Sequence, residues 1–92
     1  MTKYEVLLSE TASKQLKNLP INMQERVRKA LSELREDPFR RRPKADIKRL
    51  IGPNRSYYRL RVGDYRAMYV VEGTKVMVAK ILPRSSAYKW LD

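Results

Sequence analysis

The chain has 92 residues, enough for one small domain spanning residues 1–92 and too few for two. It contains neither cysteine nor histidine, which excludes a disulfide framework, a thiolate or imidazole metal site, and imidazole as a general base. A net charge of +11, from 21 Lys and Arg against 10 Asp and Glu, calls for an anionic partner such as nucleic acid, an acidic protein or a membrane surface.

Tyr4 to Leu8 reads as a short strand. Ser9 suits an N-cap, and Ala12, Leu16 and Leu19 then form one apolar stripe, so a short helix is predicted up to Pro20. Asn22 with Glu25 resembles a capping box. Met23, Val27, Ala30, Leu31 and Leu34 repeat at helical spacing and predict a second helix running to about Glu36, before Asp37-Pro38. Two helices joined so briefly form an antiparallel hairpin whose apolar stripes need a sheet to cover.

Phe39 to Asp46 reads as a basic loop. Ile47 to Ile51 is a candidate strand ending at Gly52-Pro53-Asn54. Tyr57 to about Val71 then reads as two strands about a Gly63-Asp64 turn, and Lys75 to Leu82 as a last strand broken by Pro83. Ser85 to Leu91 suits a final helical turn. The order β-α-α-β-β-β predicts an α+β domain: an antiparallel helix hairpin packed on one face of a mostly antiparallel, twisted sheet, the other face left for a ligand. No apolar run has transmembrane length, and the N-terminus lacks a secretory apolar core. No membrane association and a cytoplasmic location are expected.

The central hairpin carries the functional argument. Alternation puts Tyr58, Leu60, Val62, Tyr65, Ala67 and Tyr69 on one face and Arg59, Arg61, Arg66, Met68 and Val70 on the other. The first set is the better core. The second opposes Arg61 to Arg66, an arrangement that repels unless the two splay into water or hold an anion. Arginine suits phosphate because its planar fork donates two hydrogen bonds and stays charged. The expected anion is RNA phosphate. Arg40, Arg41, Arg42, Lys44, Lys48 and Arg49 extend the footprint towards RNA or ribosome backbone. Arg84 follows the last strand at a proline break, and Tyr88 stands four residues on, one helical turn away. Tyrosine beside cations suits base stacking or proton handling, or else packs the tail with Trp90.

The helix hairpin ending in Asp37-Pro38, the run from Arg59 through Arg61-Val62-Gly63-Asp64-Tyr65-Arg66 to Tyr69, and the closing Leu82-Pro83-Arg84-Ser85-Ser86-Ala87-Tyr88 resemble the RelE toxins of the RelE/ParE superfamily, over nearly the whole chain. The resemblance implies the toxin of a type II toxin–antitoxin pair, a metal-independent endoribonuclease without cofactors. Such a toxin enters the ribosomal A site, cuts mRNA by attack of the ribose 2′-hydroxyl, and so inhibits translation. By position, Arg59 matches a catalytic basic site that is usually lysine. Arg66 matches the arginine that steadies the scissile phosphate, and Arg84 the one that stabilises charge or protonates the leaving oxygen. Tyr88 matches the tyrosine that stacks on the base. Arg61 falls at a further basic position. Tyr57 and Pro83 depart from the family pattern, and the chain after Tyr88 is short. Because Arg59 stays protonated, it reads as a stabiliser of charge, with the proton leaving through Tyr88 or water. The resemblance also implies an acidic RelB-like antitoxin, beside the ribosome and mRNA. Two other readings share these residues: a ParE-like toxin that poisons DNA gyrase, and a non-catalytic nucleic-acid-binding module.

Overall fold

The computed structural model describes residues 3–51 and 56–90, without the side chains of 88–90. Its elements in chain order are β1 (Glu5–Leu8), α1 (Glu10–Lys17), α2 (Ile21–Glu33), β2 (Asp46–Ile51), β3 (Ser56–Val62), β4 (Tyr65–Glu72), β5 (Lys75–Pro83) and α3 (Arg84–Trp90). One sheet takes all five strands in the order β1-β5-β4-β3-β2. Only β1 and β5 pair in parallel. The helix pair carries the chain from β1 at one edge to β2 at the other. The α+β class and the helix pair on a mostly antiparallel sheet are as the sequence predicts, but the order β-α-α-β-β-β is one strand short: Ile47–Ile51, the two arms of the hairpin and the last strand make four strands after the helices. The expected turn at Gly52-Pro53-Asn54 lies outside the described residues. Among the described residues no helix is long and apolar enough to cross a membrane.

The helices start and stop for local reasons. Ser9 caps α1, its Oγ accepting from the Ala12 N–H at 2.9 Å. The Asn22–Glu25 capping box does not form. Pro20 is the N-cap instead, its carbonyl accepting from Met23 and Gln24 at 2.9 Å, which places Asn22 inside the first turn. Proline suits the start of a helix because its φ is already helical and no N–H is needed there. Helix α2 ends at Glu33, earlier than expected, because the chain tightens into i→i+3 hydrogen bonds from Leu34, Arg35 and Glu36.

Leu60, Val62, Ala67 and Tyr69 join Ala12, Leu16, Met23, Val27, Leu31 and Leu34 in the core, so the apolar face of the hairpin meets the helices as predicted. The last strand needs a correction to simple alternation. Met68 pairs with Lys80 but Tyr69 pairs with Val78, leaving Ala79 as the extra residue of a β-bulge. The bulge puts Ile81 in the core beside Val76 and Val78, and sends Lys80 to the opposite face. Helix α1 satisfies the backbone groups near it. Ser9 Oγ donates to the Ala79 carbonyl at 2.7 Å, and Gln15 Oε1 accepts from the Ile81 N–H at 2.7 Å.

Behind β3, Tyr58 stacks on Tyr69 at 5.5 Å, while Phe39 meets Tyr58 and Tyr4 edge-on. The fully buried Tyr69 donates its hydroxyl to the Pro38 carbonyl at 2.7 Å, tying the loop after α2 to the sheet. Burial pushes the Tyr69 phenol well above the usual tyrosine range, with lesser contributions from its neighbours. The folded state therefore holds Tyr69 neutral, while an unfolded chain ionises it near pH ~10. This contribution to stability is complete below that value and falls away as pH rises past it. Tyr69→Phe is expected to lose about 1–2 kcal/mol at neutral pH, because the Pro38 carbonyl is left without its partner. The variant should also lose less stability than the wild type between pH 9 and about 11. Urea unfolding at both ends of that range checks this, and parallel losses would refute it.

Candidate functional site

The site begins at the two-residue turn. Val62 faces Tyr65 and Arg61 faces Arg66, as the hairpin register predicts. Gly63 sits at φ +59, where a side chain is strained, and a Cβ there would meet Met23 Cε at 3.1 Å and the Arg26 guanidinium at 3.3 Å. Three cations are organised by this turn. The Arg66 Nη1 donates to the carbonyls of Gly63 and Tyr65, both at 3.0 Å. The Arg84 backbone N–H donates to the Asp64 carbonyl at 2.8 Å, so α3 starts beside the turn. Arg26 lies over it from α2.

Arg59, Arg61 and Arg66 alternate with the core and share the face turned away from the helix pair. Asp46 and Lys48 of β2 lie on that face through their pairing with Arg61 and Arg59, and Lys80 through its pairing with Met68. The face expected to be left for a ligand is partly covered. Arg66, Met68 and Val70 are buried although they point away from the helix pair. Helix α3 packs on β4 and β5, and its Ala87 is buried as well. The open part is therefore the β2–β3 side and the hairpin end. Lys48, Arg61 and Arg84 are exposed there, and Arg59 is half-buried.

The basic residues singled out by sequence divide into distinct environments. Arg59 Nη2 and Arg41 Nε both lie 3.3 Å from Asp46 Oδ1. Arg59 Nε is buried with no hydrogen-bond partner among the described residues. Arg42 turns inward. Its guanidinium donates to the carbonyls of Glu33, Asp37 and Arg40 at 2.7, 2.9 and 2.7 Å and closes the C-terminal end of α2. Arg40 pairs with Asp37 at 3.4 Å. The Phe39 N–H holds the Asp37 carboxyl below the usual range, aided by Arg40 and Arg42 against the effect of burial. Arg49 lies on the helix-side face of the edge strand β2, bonded to Ser56 Oγ at 2.9 Å. Lys44 lines a hollow of about 390 Å³ with Arg26, Lys29 and Val62. Tyr88 lies in α3, one turn after Arg84, and its side chain is outside the described residues.

Guanidinium groups on such a face can donate paired hydrogen bonds to a phosphodiester and can offset negative charge that builds on its oxygens. Sequence reasoning missed three contributors. Lys80 reaches the face only because of the bulge, and Arg26 reaches the turn from a helix. In the sequence Asp46 is visible only as one of two carboxylates, with Asp64, in the basic stretch from Phe39 to Arg66.

A family model described as the ParE toxin of the type II toxin–antitoxin system parDE matches residues 6–88. Toxin RelE3 of Methanocaldococcus jannaschii is 33% identical over 86 residues, covering 94% of this chain and 97% of the relative. The fold is similar to that in the RelE–RelB complex of Pyrococcus horikoshii OT3, with TM-score 0.76, 32% identity and coverage of 91% of this chain and 97% of the other. It is also similar to that in the RelB–RelE antitoxin–toxin complex of Methanococcus jannaschii, with TM-score 0.72, 30% identity and coverage of 94% and 99%.

The two neighbouring loop arginines are expected to differ sharply in what they stabilise. Arg42→Ala should lower stability by about 2 kcal/mol through lost charged hydrogen bonds. Arg41→Ala, three-quarters exposed, should change it by less than about 0.5 kcal/mol. Thermal unfolding of both variants checks the contrast, and equal midpoints would refute it.

Proposed function

We propose that this chain, which belongs to the RelE/ParE superfamily of type II toxin–antitoxin toxins, is a ribosome-dependent endoribonuclease that cuts mRNA in the A site. The observation that carries this reading is the cationic face of the hairpin, where Arg59, Arg61 and Arg66 share one side of β3 and β4 and the Arg84 backbone N–H is bonded to the carbonyl of Asp64 in the connecting turn. In the reaction the ribose 2′-oxygen attacks the adjacent phosphorus, and the bond from phosphorus to the 5′-oxygen breaks. A 2′,3′-cyclic phosphate and a 5′-hydroxyl result. Arg61 and Arg59 grip the phosphate, Arg84 stabilises charge on the phosphoryl or leaving oxygen, and Tyr88 stacks on a base or passes a proton.

Arg66 acts differently in this reading. Its guanidinium is already engaged with the turn, so it holds the hairpin tip and keeps positive potential beneath the phosphate. The exposed Arg40, Arg41, Lys44 and Lys48 extend the contact with ribosomal RNA. An acidic RelB-like antitoxin is the natural inhibitor. Two similar folds come from RelE–RelB complexes, and an acidic chain would neutralise a surface of net charge +11. The place of action is then the cytoplasm, where the ribosomes are.

The test is cleavage of mRNA on purified, programmed ribosomes, set beside an Arg61→Ala, Arg84→Ala double variant. Both residues are exposed, so folding should survive. Cuts within the A-site codon, slowed at least ~100-fold in the variant, are expected. An intact message at high protein concentration would reject the nuclease reading. The ParE name of the matching family model favours a second reading, poisoning of DNA gyrase, and loss of gyrase supercoiling activity with intact mRNA would select it.

A further inference from the structure

We infer that Asp46 is a positioning residue for the phosphate-binding face. Its carboxylate aims Arg59 and joins Arg41 of the basic loop to it, so that RNA meets a preset pair of guanidinium groups. This deepens the ribonuclease reading, but its structural half stands without it.

Four observations carry the inference. Asp46 Oδ1 lies 3.3 Å from both Arg59 Nη2 and Arg41 Nε. Strand register places Asp46 directly opposite Arg61, yet its carboxylate pairs with the diagonal Arg59 instead. Arg61 is thereby left exposed, with no ion-pair partner among the described residues. Finally, the buried Arg59 Nε has no acceptor there, so a single carboxylate oxygen holds this guanidinium.

Neither stability nor affinity accounts for a carboxylate at this place. Ion pairs of this length and partial exposure add little to stability. A negative charge among cations also weakens attraction for phosphate. What the carboxylate supplies is orientation. Arginine has many rotamers, and fixing the fork before the substrate arrives removes that ordering cost from the transition state. Lys48, paired across from Arg59, would otherwise push it away from this position.

The test has two arms. In the first, the arginine Nε–H region of a nitrogen-15 NMR spectrum is recorded for the wild type, Asp46→Asn and Asp46→Glu, with Arg59→Ala to assign the signal. A discrete Arg59 signal is expected in the wild type, lost in Asp46→Asn and regained in Asp46→Glu. It should shift on adding an uncleavable 2′-O-methyl RNA oligonucleotide. In the second arm, cleavage on programmed ribosomes is followed with matched thermal unfolding midpoints. Asp46→Asn should lower kcat about tenfold with KM unchanged or reduced, and Asp46→Glu should restore part of the loss. An Arg59 signal unaltered in Asp46→Asn would overturn the inference, and so would an unchanged kcat in a protein that cuts. If the wild type cuts nothing, the nuclease reading falls, and the NMR arm alone decides the role of Asp46.

Discussion

The alternation of side chains along β3 and β4 about the Gly63-Asp64 turn is the constraint on which the rest of this structure depends. Successive residues point to opposite faces, so one short hairpin supplies both the floor of the core and the cationic surface. Slipping the register by one residue would bury arginines under the helices and expose Leu60 and Tyr69. The turn secures that register through a glycine at positive φ, packed tightly under Met23 and Arg26. It also anchors the start of α3 through the Asp64 carbonyl. Fold and candidate site are thus set by the same few backbone atoms.

Positive charge in this protein has two uses. Arg42 is spent inside the molecule, closing the end of α2 with hydrogen bonds that any helix terminus requires. Arg66 likewise binds the carbonyls of its own hairpin. Arg61 and Lys48 face outward on the open part of the sheet, and Arg84 is exposed at the start of α3. The internal guanidinium groups still contribute to the field felt by an anion at that surface, because a half-buried charge is less screened than a solvated one. A net charge of +11 is therefore partly a structural material and partly an invitation to an anionic partner.

Helices α1 and α3 divide the two faces of the sheet unequally. The first docks beside the bulge in β5, where Ser9 and Gln15 take up backbone groups near Ala79. The second packs on β4 and β5 and leaves the β2–β3 side open. The candidate site consequently lies at one end of the face. There a strand, a turn and a helix start meet.

The sequence by itself determined the separate helices and strands, the core face of the hairpin and the two-residue turn. These are local properties: period-two alternation, helical spacing from Met23 to Leu34, and a Gly-Asp pair between strand-forming runs. Tertiary structure decided the rest. The bulge at Ala79 moved Ile81 inward and Lys80 outward, and alternation alone carries no record of an inserted residue. Pro20 displaced the expected capping box because its carbonyl already served the first helical N–H groups. The loop arginines look alike in sequence, yet only Arg42 lies within reach of the carbonyls at the end of α2. Asp46 became the neighbour of Arg59 and Arg41 through strand pairing and loop path, contacts between residues far apart in the chain that no local pattern encodes.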